Sequence, residues 1–418
     1  MIKKIKLVSY ITFLMVILHG NSLIAMPKVI NILNIDLFGG NSYINGQTNS
    51  FGADFVLDWV PVLEFNENFS ILPRYCGTYR GNKSLLELEG GGTLYQQLQD
   101  HNISVKFLKQ FPEAFSLNAT LFYMLELARE TTDENWLDGL YNYNNGGIDI
   151  EAKKVFFSEN FPSNLSYGYS FYKTTFPNYS SLASTQYGQE LMGGGTGIGN
   201  YIFDNYVNEL AACFDILVMQ KGIFKSSYIL SNYNYPDQKV VNISGDYTEL
   251  KRNDLLNHIN VSIDFFFSEF SIGNKFSFAP SVGTYFDFDF FDSNQNYYDV
   301  GKYRPTLKFY NYCEQRICLP LNLQFSEPID LNTSISFQHI QKQYSDRVVQ
   351  DSLGDYGTEK LQTSQNVWSW NFQYPLPQNF TFIVNLGFIS SFSNMRYEKL
   401  YLYNFEAWNY SAGIRYEY

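Results

Sequence analysis

Few side chains in this 418-residue chain are placed to make or break bonds. The histidines beyond the first 25 residues are His101, His258 and His339. A catalytic histidine needs an orienting acid and a nucleophile within reach. His258 has Asp264 further along its own stretch, and no serine spacing assigns a nucleophile to His339. The chain therefore reads as a non-enzyme. The cysteines Cys76, Cys213, Cys313 and Cys318 show no C-x-x-C spacing and no histidine partner, so neither a metal nor a cofactor is expected. In YNYCEQRICLP, Cys313 and Cys318 would lie on opposite faces of a regular strand, roughly 16 Å apart. A disulfide needs Cα atoms about 4.4–6.8 Å apart, so this pair bonds only if residues 314–317 bulge. The pairing of the other cysteines stays open. Asp287, Asp289 and Asp292 offer oxygens for Ca²⁺ or simply form a solvated acidic rim.

The glycine cluster Gly193, Gly194, Gly195, Gly197 and Gly199 in LMGGGTGIGNY lacks the lysine of a phosphate loop. It suits tight turns, either in a loop folded inward as a constriction or in a surface loop. The net charge of −12 argues against nucleic-acid binding.

What positions the charged residues is a strand pattern. Residues 1–25 read as a cleaved signal peptide: Lys3, Lys4 and Lys6, an apolar run over 7–18, then small residues at Ser22 and Ala25. No later stretch approaches the length of a spanning helix. Aromatics make up 18% of residues and charged residues only 17%, a balance that favours strands with aromatic girdles. Alternation with period two recurs along residues 26–418. In residues 276–290 one face is Phe276, Phe278, Pro280, Val282, Thr284, Phe286, Phe288 and Phe290, and the other includes Tyr285, Asp287 and Asp289.

Short turns near 64–70, 109–116, 158–166, 219–224, 268–277, 325–334 and 374–381 alternate with longer polar connections. These connections lie near 39–50, 81–101, 130–146, 177–206, 235–254, 291–303, 346–362 and 393–404. The count predicts an all-β, antiparallel up-and-down transmembrane barrel of about sixteen strands, with fourteen or eighteen as alternatives. Expected strand starts include 29, 102, 256, 306, 366 and 405. With the apolar faces outward, the inward candidates are Asp54, Asp58, Arg74, Arg80, Lys106, Glu126, Asp215, Asp264, Asp287, Asp289, Glu314, Arg316 and Arg415. Phe122, Tyr172, Phe266, Tyr285, Tyr310 and Tyr312 would join them.

The final strand, WNYSAGIRYEY, alternates through Tyr410, Ile414, Tyr416 and Tyr418. It resembles the C-terminal signal by which bacterial outer-membrane β-barrel proteins are recognised for assembly. The pattern from residue 26 onward resembles the general porins. That resemblance implies a bacterial outer-membrane location, contact with lipid and with the barrel-assembly machinery, and a homotrimer. It also implies a channel for passive diffusion of small hydrophilic solutes. The acidic excess adds a mild cation preference. The alternative reading is a plugged, non-conducting surface protein, an adhesin or scaffold.

A closed barrel resists SDS until heated. Unheated protein is expected to migrate differently from boiled protein on SDS gels; identical bands would exclude the whole class.

Overall fold

The computed structural model describes residues 26–45, 47–48, 52–87, 93–129, 134–159, 161–179, 201–219, 221–273, 276–398 and 402–418. The predicted signal segment and the glycine cluster at 193–199 lie outside them. Among the described residues, sixteen long strands form one antiparallel sheet. They are β1 (Lys28–Ile44), β2 (Gly52–Asn66), β3 (Phe69–Glu87), β4 (Thr93–Phe111), β5 (Phe115–Arg129), β6 (Tyr143–Phe156), β7 (Ser163–Thr175) and β8 (Asn205–Val218). The second half is β9 (Gly222–Val241), β10 (Tyr247–Phe266), β11 (Ser277–Ser293), β12 (Tyr312–Glu327), β13 (Leu331–Gln350), β14 (Tyr356–Leu376), β15 (Phe380–Ser393) and β16 (Phe405–Glu417). Each strand pairs with its sequence neighbours. β16 pairs with β1 from Asn34↔Glu417 to Ile44↔Ala407, which closes the barrel.

Register carries orientation from strand to strand, because directly opposed residues share a face. One row runs Leu72, Lys106, Thr120, Asp149, Ser170, Glu209, Ser231, Leu256, Phe291, Tyr312, Tyr344 across β3 to β13. It starts near the short-turn end of β3 and finishes near the long-loop end of β13, the stagger that tilted strands of a barrel require. A second row, Ser336, Ser369, Gly387, Asn409, Ser42, crosses the closure. The opposite face carries Leu37, Trp59, Ile103, Tyr123, Ile150, Leu210, Ile259, Leu319, Trp370, Leu386 and Ile414, all substantially exposed. Leu37 is 57% exposed and Leu210 55%, whereas the side chains of Asp36 and Glu314 on the first face are each 16% exposed. Curvature crowds a concave wall and spreads a convex one, so the polar face is the inner face and the apolar face the outer.

Two departures from expectation have one cause. β4, β10 and β14 begin at Thr93, Tyr247 and Tyr356, about ten residues before the predicted 102, 256 and 366. The added segments, such as QQLQD and KLQTSQN, are polar on both faces, so they pair as strands without an alternating signature. The connections predicted at 235–254 and 346–362 shrink to residues 242–246 and 351–355. β12 instead starts later than 306, because Tyr297–Asp299 and Arg304–Thr306 form a separate small hairpin. Tyr310 therefore sits in a connection and not on the wall. β12 pairs with β11 without a break from Tyr312 to Cys318, so no bulge brings Cys313 to Cys318. All four cysteines are free.

The seam between β1 and β16 is tight. A Cβ added to Gly413 would press into the carbonyl oxygen of Leu37 and the ring of Phe38, and one added to Gly40 would meet the carbonyl oxygen of Tyr410. The Gly413→Val variant is expected to cost about 1–3 kcal/mol through overpacking. The measurement is the temperature at which the SDS-resistant band disappears, which should fall by several degrees. An unchanged temperature would show that the seam tolerates side chains there.

Candidate functional site

The candidate site is the inner wall. All thirteen sequence-predicted charged residues carry its face by register. Side chains reach diagonally as well as straight across. Asp58 lies opposite Cys76, yet it binds Arg74 through two hydrogen bonds, from Nε at 2.8 Å and Nη2 at 2.9 Å. Arg80 lies opposite Asp54 but donates to Asp100 at 2.7 Å, with Thr78 donating to the same carboxylate at 2.8 Å. Asp54 Oδ1 is left buried without a hydrogen bond. Arg415 grips Asp36 across the seam at 2.8 and 3.1 Å. Glu126 accepts from the Tyr143 hydroxyl at 3.2 Å. Such two-pronged arginine–carboxylate pairs fix geometry as well as charge.

A second network covers β10 to β13. His258 Nδ1 is 2.6 Å from Asp289, Asn260 donates to Asp287 at 2.6 Å, and Tyr285 donates to Asp264 at 2.7 Å. Arg316 is the hub, 3.0 Å from Glu314 and 3.7 Å from Asp287. Lys342 joins Glu314 at 3.3 Å, and its ammonium sits 3.5 Å from the centroid of the Tyr312 ring. Lys106 and Asp215 make no ion pair among the described residues. Phe122, Tyr172, Phe266, Tyr285 and Tyr312 share the wall by register. Asp292 does not join Asp287 and Asp289: it lies on the opposite face and accepts from Lys308 at 3.2 Å and from Asn311. No group of three or more metal-ligating side chains occurs among the described residues.

Some wall residues escaped sequence reasoning. Asp100, Arg252 and Asp254 fell in segments read as loops. Asp36 and Lys342 lay on predicted strands, and their partners show their importance. Of the cations among them, Arg252 is the more enclosed. Its side chain is 10% exposed and that of Asp254 is fully buried. The two are joined by contacts of 2.5–3.0 Å, and the guanidinium lies between the rings of Tyr235 at 4.4 Å and Tyr310 at 4.5 Å. This clamp holds the 294–311 connection against β9 and β10. Further along it, Arg347 covers the Phe309 ring at 4.7 Å and donates to the Tyr403 hydroxyl at 2.8 Å. Neighbouring connections converge there. The Tyr179 ring packs 4.2 Å from Phe203 and 5.9 Å from Tyr141. Burial, then the hydroxyls of Tyr141 and Tyr310, push the Tyr179 phenol above its ordinary pKa.

The outer face completes the geometry. Its apolar belt is interleaved with tyrosine–asparagine pairs: Asn41 to Tyr410 at 2.9 Å, Tyr169 to Asn208 at 2.9 Å and Tyr228 to Asn257 at 2.7 Å. His339 faces outward and is 2.8 Å from Asn366. Tyr410, Ile414 and Tyr416 of the final strand also face outward, and Tyr418 pairs through its backbone with Leu33.

No family model matches the chain, and no curated protein matches it. Solved structures do. OmpT of Vibrio cholerae, an outer membrane protein in trimer form, is 10% identical, with 94% of this chain and 100% of that chain covered and a TM-score of 0.43. CdiB from Acinetobacter baumannii is 8% identical over 92% of this chain and 60% of that one, with a TM-score of 0.48. BamA from Haemophilus ducreyi is 12% identical over 91% and 70%, with a TM-score of 0.41. None of these three superpositions reaches 0.5, so the barrel rests on its own strand pairings.

Removing one member of a buried ion pair strands the other, at about 3–5 kcal/mol. The Arg252→Ala variant should free the 294–311 connection. Limited proteolysis of the folded barrel is expected to cut there at least tenfold faster, with the SDS-resistant band retained. Equal cleavage rates would show that the clamp does not hold the connection.

Proposed function

We propose that the chain is a bacterial outer-membrane channel through which small hydrophilic solutes diffuse passively. The observation that carries this is the pairing of two faces in one closed sheet: mainly apolar outside, mainly polar and charged inside. Hydrocarbon offers the backbone no hydrogen bonds, so a sheet crosses it only without edges. A charge facing lipid at the midplane costs about 2–4 kcal/mol, and the outer positions in the middle of these strands carry none. Sixteen strands give a barrel wide enough for an aqueous passage. Asp54, Asp58, Arg74, Arg80, Lys106, Glu126, Asp215, Asp264, Asp287, Asp289, Glu314, Arg316 and Arg415 then line the lumen and filter by charge. The glycine cluster at 193–199 is the proposed inward loop. Residues 1–25 act as the cleaved export signal, and the final strand, with Tyr410, Ile414, Tyr416 and Tyr418, as the contact for barrel assembly. A homotrimer suits a channel of this size.

A second reading, a non-conducting surface protein, is favoured by one observation. The 294–311 connection is pinned by Arg252 and Arg347 beside an aromatic cluster at the long-loop end. Planar bilayers separate the two. Purified protein, beginning near Met26 by N-terminal sequencing, should give discrete conductance steps with a mild cation preference. Arg316→Gln should raise that preference by removing a positive charge beside Glu314 and Asp287. Silent membranes from protein with an intact SDS-resistant band would establish the plugged reading instead.

A further inference from the structure

Part of the polar wall is apolar. At the short-turn end, the inward residues of β1 and β2 are Ile30, Ile32, Val60 and Val62, with Ile32 opposite Val60 and Ile30 opposite Val62. Leu72 of β3 and Leu108 of β4 continue the patch. A recess of about 470 Å³ opens there, lined by Val62, Leu72 and Leu108 and edged by Ser70, Gln110, Asn66, Glu64, Glu67 and Lys28; Ile30, Ile32, Val60 and Lys106 lie next to it by register, outside its lining. Ile30 and Ile32 are 38% and 43% exposed. Apolar surface kept facing a watery passage is unfavourable, by roughly 25 cal/mol per Å², and contiguous patches of it commonly mark binding sites.

Beside this patch lies a cation without an ion pair among the described residues. Lys106 lies directly opposite Leu72 and two residues from Leu108 on the same face, about 7 Å along the strand. The nearby inward arginines are claimed: Arg74 by Asp58, Arg80 by Asp100, Arg415 by Asp36. At the far edge of the recess, Glu64 is met by Lys28 at 3.5 Å. Lys106 makes no ion pair among the described residues. Lys153 and Lys225 are also inward without an ion pair among the described residues, but the residues directly opposite them are Ser116, Ser166, Asp215 and Ser262, and the apolar neighbours of Lys225 are limited to the Ile223–Leu217 pair.

We infer that Lys106 and the Ile30–Ile32–Val60–Val62–Leu72–Leu108 floor form a binding site for amphipathic monocarboxylates, with the carboxylate on the ammonium and an alkyl or aryl body on the floor. The site extends the channel reading, on which it rests for its exposure to solutes, by naming a solute class. Cavities of this size suit small molecules with a few convergent polar groups.

The test uses the full-length folded protein in detergent and 4-phenylbutyrate as probe, with binding followed by titration calorimetry. Saturable binding is expected, weakened at least tenfold by Lys106→Gln and by Leu72→Asn, and changed less than twofold by Lys225→Gln. Acetate, which lacks the apolar body, and 4-phenylbutylammonium, which reverses the charge, should each bind at least tenfold more weakly. Absence of saturable binding overturns the site, as does Lys106→Gln within twofold of the unaltered protein or an amine that binds as well as the acid. The SDS-resistant band verifies that each variant is folded. Bilayer conductance is recorded separately. Binding without conductance keeps this site and refutes the channel; conductance without binding does the reverse.

Discussion

Everything in this fold depends on satisfying the main chain. Each strand has a hydrogen-bonding neighbour on both sides, and the last gap is closed by eleven opposed pairs between Asn34–Ile44 and Ala407–Glu417. The closure runs to the end of β16, where Leu33 and Tyr418 exchange backbone hydrogen bonds of 2.9 and 2.8 Å. An amide left unpaired away from water costs several kcal/mol. A ring of strands avoids that cost without helices, and the seam glycines let its two ends approach.

Closure also dictates what side chains do. Once the sheet is a ring, every residue faces either the convex or the concave side, and a one-residue slip would reverse them all. The irregular registers accordingly gather near strand ends, at Glu64/Asn66, Lys83/Glu87, Asn234/Lys239, Ser277/Phe278 and Gln343/Val348. Between them the wall is held by arginine–carboxylate pairs at β16–β1, β2–β3 and β3–β4, and by the Arg316–Glu314–Lys342 network on β12 and β13. These pairs consume much of each other's charge, so the field inside the ring is set by what remains unpaired.

Much of this was legible in the sequence. Strands such as Phe115–Arg129 and Ser277–Ser293 alternate because one side meets an apolar surrounding and the other does not, and their boundaries followed closely. Where a strand leaves that surrounding the alternation stops, so the first residues of β4, β10 and β14 looked like loop. Which face a residue occupies follows from parity alone, so the wall could be proposed residue by residue. Which partner it takes depends on tilt and twist. Hence Arg80 could be placed on the wall, but its choice of Asp100 over the opposed Asp54 could not be foreseen. The Arg252 clamp was hidden for a further reason: it needs Tyr235, Asp254 and Tyr310 from three segments, two of which carried no strand signal.

The partners across the seam are distant along the chain: Asn41 and Tyr410, joined at 2.9 Å, are 369 positions apart. The ring therefore cannot shut until its sixteenth strand is available, however early the others pair. Until then the growing sheet has two raw borders and an oily outer surface. Pairing of such long sequence separation is slow. An incomplete sheet with open borders is prone to pair with other chains. Biogenesis of this molecule is thus a race between self-closure and association, decided by its final thirteen-residue strand.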